Sequence, residues 1–249
     1  MRIATWNVNS IGARLPRFLP WLEQTAPDVV ALQETKTATF PDADVAALGY
    51  EVAHAGDGRW NGVAVLSRVG LEQVELVHAG HPEPRLVGAQ CGPLHVTSVY
   101  VPNGRALDEP HYTYKLQWLA DLRTRLDRFD PAQPLVVMGD FNVARTDADV
   151  WDPREFVGST HVTPAERQAM DDLVAWGLVD VAARPGKGDH PFTYFDYRAG
   201  RLHKNEGMRI DFVLATPSVH VIDAYVDRKA RKGTGASDHC PVVVDLEIT

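Results

Sequence analysis

Five short polar clusters carry side chains that could do chemistry: Trp6-Asn7-Val8-Asn9, Gln33-Glu34-Thr35-Lys36, Tyr100-Val101-Pro102-Asn103-Gly104, Gly139-Asp140-Phe141-Asn142 and Ser237-Asp238-His239. A sixth, Gly207-Met208-Arg209-Ile210-Asp211, sets a carboxylate two residues after an arginine. Singly, each cluster reads as a turn, because Asn and Asp tolerate unusual backbone angles. Together they supply three carboxylates (Glu34, Asp140, Asp238), a histidine with a carboxylate to orient it (His239 with Asp211) and two asparagines (Asn7, Asn9), all at the ends of predicted strands. Phosphodiester hydrolysis needs this inventory. A hard cation takes carboxylate oxygens and completes its shell with water and substrate phosphate. A carboxylate must orient or deprotonate the attacking water, and donors must hold the non-bridging oxygens.

The elements that must position these groups follow from the pattern between them. Residues 2–8 alternate like a strand, 15–24 carry apolar residues at helical spacing, and the run VVALQ at 29–33 fits a buried strand that ends at Glu34. Strands are predicted at 50–54, 62–67, 71–77, 85–90 and 94–101, joined by turns bearing Gly and Pro. A helix over 110–129 carries Leu116, Leu119, Leu122 and Leu126, and a strand at 134–138 runs into Asp140. Thr163 and Pro164 open a helix over 164–176 as cap and first helical residue. Further strands are expected at 193–197, 209–215, 220–227 and 242–248. Strands outnumber helices, which suits two packed sheets with helices outside, in one domain spanning 1–249.

Composition narrows the class. The formal net charge of −8 argues against loose, bulk-electrostatic binding of nucleic acid, though not against a local site. Cys91 and Cys240 stand far apart, so neither a disulfide framework nor a zinc knuckle is expected, and the chain reads as cytoplasmic. No apolar run approaches a membrane span. HExxH, a GxSxG elbow, a Walker loop and a dinucleotide fingerprint are all missing, which sets aside zinc proteases, serine hydrolases and nucleotide-binding classes.

In order along the chain, WNVNSIGARL (6–15), LQETK (32–36), NGVAVLSR (61–68), YVPNG (100–104), YKLQWLADL (114–122), GDFNVARTDADV (139–150), FTYFDYR (192–198), GMRIDFVLAT (207–216) and SDHCPV (237–242) resemble the exonuclease III branch of the exonuclease–endonuclease–phosphatase superfamily. The resemblance implies an α/β fold, a four-layer sandwich of two mixed sheets flanked by helices. By matching position it implies Glu34 as principal metal ligand, with Asp238 and Asn9 beside the metal. Asp140 would align and activate water, Asn7 and Asn142 would hold phosphate and water, and His239 oriented by Asp211 would donate to a non-bridging oxygen. Tyr100 and Asn103 would line the site and contact the phosphate; Arg105 and Lys115, on their charge alone, are expected to face the DNA substrate. Tyr194, Phe195, Met208 and Ile210 match an apolar pocket for a flipped-out abasic sugar. The family often carries tryptophan at the position of Tyr194 or Met208, and this chain carries it at neither.

The implied activity is Mg²⁺-dependent (with Mn²⁺ able to substitute) hydrolysis of double-stranded DNA by a monomer. It would cut 5′ to abasic sites, trim recessed 3′ ends and clear blocked ones. DNA-facing charge is expected from Arg14, Lys36, Arg59, Arg145, Arg198, Arg201, Lys204 and Arg209, and from the run Arg228-Lys229-Ala230-Arg231-Lys232. Two other readings remain open: a superfamily phosphoesterase acting on a small phosphoester or lipid head group, and a DNA-binding module without catalysis.

Overall fold

Twelve strands form in the computed structural model, which describes residues 1–248: β1 (Arg2–Asn7), β2 (Val29–Gln33), β3 (Glu51–Ala55), β4 (Val63–Ser67), β5 (Glu72–Glu75), β6 (Leu86–Cys91), β7 (Leu94–Tyr100), β8 (Leu135–Asp140), β9 (Val179–Asp180), β10 (Asp211–Ala215), β11 (Val219–Val226) and β12 (Val242–Ile248). They make two six-stranded sheets, in the orders β11-β12-β1-β2-β4-β3 and β5-β6-β7-β8-β10-β9. Period-two alternation decides which face each side chain takes. Ile3, Val29, Ala31, Val63 and Val65 point inward and meet Val87, Ala89, Val96, Val136, Met138 and Val213 of the opposite sheet.

The outward faces are equally apolar and are covered by helices. Ala4, Val30, Leu32, Ala64 and Leu66 pack under α1 (Ile11–Thr25) and α2 (Asp42–Ala46) through Phe18, Trp21, Leu22 and Val45. On the other side α3 (Pro110–Leu126) and α4 (Pro164–Trp176) bury Trp118, Leu119, Leu122, Met170 and Leu173 against Val99, Leu135, Val137 and Phe212. A fifth helix, α5 (Arg201–Lys204), is a single turn. The result is the expected four-layer α/β sandwich of two mixed sheets. Among the described residues no helix is long and apolar enough to cross a membrane.

Topology explains why the polar clusters meet. β1 runs parallel to β2, and β7 parallel to β8, so each pair ends together, and the Tyr100–Glu34 hydrogen bond brings the two pairs' ends to one edge. β10 runs antiparallel to β8, pairing Asp211 with Asp140, and β12 runs antiparallel to β1, pairing Val242 with Thr5. Their first residues therefore lie at that edge too. Strand ends from distant parts of the chain converge there.

Three expectations need correction. Residues 193–197 form no strand; Tyr194 makes only single bridges to Met208 and His239. The strand expected from residue 209 begins at Asp211, and the Arg209 guanidinium turns away to Asp180 and Asp149. The first helix begins at Ile11, four residues early, because the Ser10 side chain accepts from Ala13 N at 3.3 Å and caps an extra turn.

Candidate active site

The convergent edge holds a cavity of about 210 Å³ lined by Glu34, Tyr100, Asn103, Asp140, Asn142, His161, Tyr194, Met208, Ile210, Asp238 and His239. Asn7 ties its centre together: one side-chain nitrogen donates to Glu34 Oε1 and to Asp140 Oδ2, each at 2.9 Å. Tyr100 Oη adds a bond to Glu34 Oε1 at 3.0 Å. Asp140 Oδ1 accepts from the backbone of Asn142 at 2.9 Å, and Asn142 Nδ2 donates to Val101 O. Four strand ends are thus locked by neutral donors that leave carboxylate lone pairs facing the cavity.

Backbone strain concentrates here. Asn9, Glu34, Lys36, Asn142 and His161 all hold positive φ, a conformation L-residues adopt at a cost. Gly139, immediately before Asp140, has φ 152°, and a Cβ there would lie 2.0 Å from Val99 O. Only glycine lets β7 and β8 stay paired up to the residue that carries the carboxylate.

His239 is buried between two carboxylates. Its Nδ1 donates to Asp211 Oδ2 at 2.8 Å, and its Nε2 lies 3.8 Å from Asp140 Oδ2. Burial would lower the imidazole pKa, but Asp211 and then Asp140 outweigh it and raise it to about 10. Burial likewise raises the Asp140 carboxyl, and Asp211 pushes it further, to about 7. At Glu34 burial acts upward too, yet the Lys36 ammonium and the bond from Asn7 bring the carboxyl below its ordinary value. Burial, reinforced by Glu34, holds the Tyr100 hydroxyl protonated far above neutral pH. The site therefore presents an imidazolium donor, a carboxylate that titrates near neutrality and a phenol that stays a donor.

The donor set fits a divalent cation. Carboxylate oxygens of Glu34 and Asp140 lie within 4.8 Å of each other, and His239, as an imidazolium, stands beside them as a donor and not as a ligand. Beside them the Lys36 ammonium sits between Glu34 Oε2 at 2.7 Å and Asn9 Oδ1 at 2.6 Å, and Asn9 Nδ2 donates to Asp238 Oδ1 at 3.0 Å. Oxygens already gathered around one positive charge are the hard ligands such an ion takes.

Several residues lie where the sequence placed them, and several do not. Asn7, Asn9, Glu34, Tyr100, Asn103, Asp140, Asn142, Tyr194, Met208, Asp211, Asp238 and His239 gather at or directly behind the cavity. Arg105 is exposed beside it, 3.9 Å from Glu109. Lys115 does not reach substrate: it is wholly buried and paired with Glu166. Phe195 does not wall the pocket either; it is buried under the Arg228 guanidinium and against Phe192, because neighbouring Tyr194 takes the cavity side. In the basic run, Arg228 is spent on Asn205 Oδ1 and Leu202 O, and Arg231 on Phe195 O, which leaves Lys229 and Lys232 exposed. Arg145, Arg198, Arg201 and Arg209 are each held by acidic partners.

His161 is the cavity residue that sequence reasoning missed. Its Nε2 lies 3.2 Å from both Asn142 Oδ1 and Asn103 Nδ2, and its ring is neutral at pH 7, since burial and then Lys115 lower its pKa to about 4. Nothing in its neighbourhood marks it; it is a lone histidine in a polar loop.

A four-layer sandwich whose convergent strand ends hold carboxylates, amides and a carboxylate-backed imidazolium defines a hydrolytic nuclease. The Endonuclease/Exonuclease/phosphatase family profile matches residues 4–239, and the chain belongs to that family. It is 29% identical to exodeoxyribonuclease III of Haemophilus influenzae over 99% of this chain and 100% of that protein. Among solved structures, an AP endonuclease from Archaeoglobus fulgidus superposes with TM-score 0.94 and 36% identity, covering 100% of both chains. The 3′ phosphatase NExo from Neisseria, bound to product DNA hairpin, superposes with TM-score 0.93 and 34% identity, covering 99% of each.

Proposed function

We propose that the chain is a Mg²⁺-dependent DNA phosphoesterase of base-excision repair, a single-domain cytoplasmic monomer that works on abasic sites and on recessed or blocked 3′ ends. The observation that carries this reading is the joint hold of Asn7 on Glu34 and Asp140 within one narrow cavity. Mg²⁺, or Mn²⁺ in its place, would be held by Glu34 with Asp238 and Asn9 at its side, and when bound it would polarise the phosphoryl oxygen and offset leaving-group charge.

The protein's own groups do the rest. Asp140 accepts the proton of the attacking water, a task matched to a carboxyl that titrates near neutral pH. His239 donates from Nε2 to a non-bridging oxygen while Asp211 holds Nδ1 and fixes the ring. Asn7 and Tyr100 hold the Glu34 and Asp140 carboxylates with neutral donors and so add no charge to a site about to receive phosphate. Asn103 lies at the rim for phosphate contact. Tyr194, Met208 and Ile210 form the apolar wall and leave room for little beyond a phosphate and one sugar.

Product analysis on one labelled duplex bearing an abasic site, a recessed 3′ end and a 3′-phosphate tests the assignment. Mg²⁺-dependent products at these positions support it, and hydrolysis confined to soluble phosphomonoesters or lipids overturns it. The balance among products depends on the wall. A 3′-phosphate needs less room than an abasic sugar, and the His161 ring is part of the lining that bounds this room. His161→Ala is expected to raise abasic-site incision relative to 3′-phosphate release by about tenfold, as a relieved steric clash of 1–2 kcal/mol would. An unchanged product ratio would show that the sugar does not enter past residue 161.

A further inference from the structure

We propose that the buried pair Lys115–Glu166 is a positioning device that sets the loops bearing Asn103, Asn142 and His161 against the scissile phosphate. The inference rests on the reading that this cavity hydrolyses a phosphoester. Both side chains are fully buried. Besides Glu166, Lys115 Nζ donates to Asn142 O at 2.6 Å and reaches Asn103 O and Thr160 Oγ1 at 3.4 Å. Glu166 Oε1 accepts from Thr160 Oγ1 at 2.7 Å and from the His161 backbone at 2.9 Å. Thr160 Oγ1 also lies 3.1 Å from Asn103 O, and its single proton is shared between that carbonyl and the nearer Glu166 carboxylate.

One ion pair thus grips the backbone of the three residues whose side chains meet in the cavity. Asn103 Nδ2 donates to Asn142 Oδ1 at 3.1 Å, and His161 touches both. Gly104 fits the same design: its φ is +87°, and a Cβ there would lie 2.6 Å from Thr160 Oγ1 and 3.1 Å from Lys115 Cδ. The Asn103 loop is therefore pressed directly onto the pair.

Glu166 Oε2 also accepts from Thr163 N at 3.0 Å and closes the capping box of α4, but stability does not require that its other oxygen meet a buried ammonium. Burying two charges costs about what their attraction returns, and apolar replacement of such a pair is often neutral or stabilising. What an apolar pair cannot do is direct hydrogen bonds to Asn103 O, Asn142 O and His161 N. The two roles separate cleanly in experiment.

Wild type, Glu166→Gln, Gly104→Ala and the double variant Lys115→Met with Glu166→Met should be compared for Tm, KM and kcat. The substrate is a 3′-phosphate duplex with Mg²⁺, and rates are normalised to native protein by near-UV circular dichroism. The double variant is expected to keep a Tm within about 4 °C of wild type. Its kcat should fall on the order of 10²-fold, as loss of ångström-level placement does, while KM changes far less. Glu166→Gln and Gly104→Ala should lose roughly tenfold in kcat in the same pattern. A double variant with both Tm and kcat at wild-type level overturns the proposal. If the double variant does not fold, Glu166→Gln, which keeps the side chain's shape and an acceptor oxygen but removes the charge, decides: wild-type kcat overturns the proposal and a kcat-specific loss upholds it. Absence of Mg²⁺-dependent release by wild type would refute the phosphoesterase reading instead.

Discussion

Asp140→Asn is expected to lower kcat by about 10³–10⁴-fold, the upper range for loss of a general base, without unfolding the protein. Asparagine keeps the shape and can still accept from Asn142 N, but it cannot take a proton from water. A carboxyl raised to about 7 binds its proton more tightly in the folded than in the unfolded chain. Folding stability therefore declines as pH rises from the ordinary carboxylate range through 7, and the ionised group is a net cost at pH 8. A neutral isostere removes that cost, which offsets the poorer match of its amide to Asn7 and His239. In EDTA at pH 8 the variant's Tm should lie no more than about 3 °C below wild type. A Tm collapse alongside the lost activity would make Asp140 a structural residue.

The second large effect is a pH-dependent one at Asp211. In wild type the imidazolium of His239 persists to about pH 10 because Asp211 overrides burial. Asp211→Asn retains an acceptor for Nδ1 and so retains orientation, but it withdraws the charge, and the pKa drops toward or below the ordinary 6.5. At pH 6 the loss in kcat should be about 10²-fold, that of one weakened oxyanion donor. Above the lowered pKa the loss should deepen by roughly tenfold per pH unit. Stability moves in the same direction as at Asp140, over a higher pH window. The contribution of a raised imidazole is fully present below its unfolded pKa and is lost as pH climbs through about 10, so wild type should lose its advantage over Asp211→Asn across that window. A rate deficit that does not vary between pH 6 and 8.5 would show that Asp211 orients the ring without charging it.

Much of this architecture is written in local pattern. The runs at 29–33 and 164–176 appear where apolar clustering and the Thr163-Pro164 cap placed them, since burial and capping are decided within a few residues. The central site was legible for a related reason: polar residues directly after apolar strands end up at a sheet edge, and parallel neighbours share one edge. Lys115 was misread although a signal existed. It stands three, four and seven residues before Trp118, Leu119 and Leu122, on the stripe of α3 that faces the core, so its charge had to find a buried partner. Phe195 similarly follows from alternation, because adjacent extended residues cannot both face one cavity. His161, Arg228 and Arg231 carry no such clue. Their partners lie tens of residues away in sequence, and only the assembled fold makes a wall of one and braces of the others.

If acidic side chains from separate strands gather a hard cation that makes a DNA phosphate attackable, cleavage must follow occupancy of that site. Single-turnover cleavage of an end-labelled duplex, titrated with Mg²⁺ for wild type and Glu34→Gln in parallel, tests it most directly. Cleavage should vanish in EDTA and return with Mg²⁺, and Glu34→Gln should need at least tenfold more Mg²⁺ for half-maximal rate, as loss of a ligand exceeds the 10–100-fold typical of outer-sphere changes. Cleavage that persists in EDTA, or a Glu34→Gln midpoint equal to wild type, would contradict it.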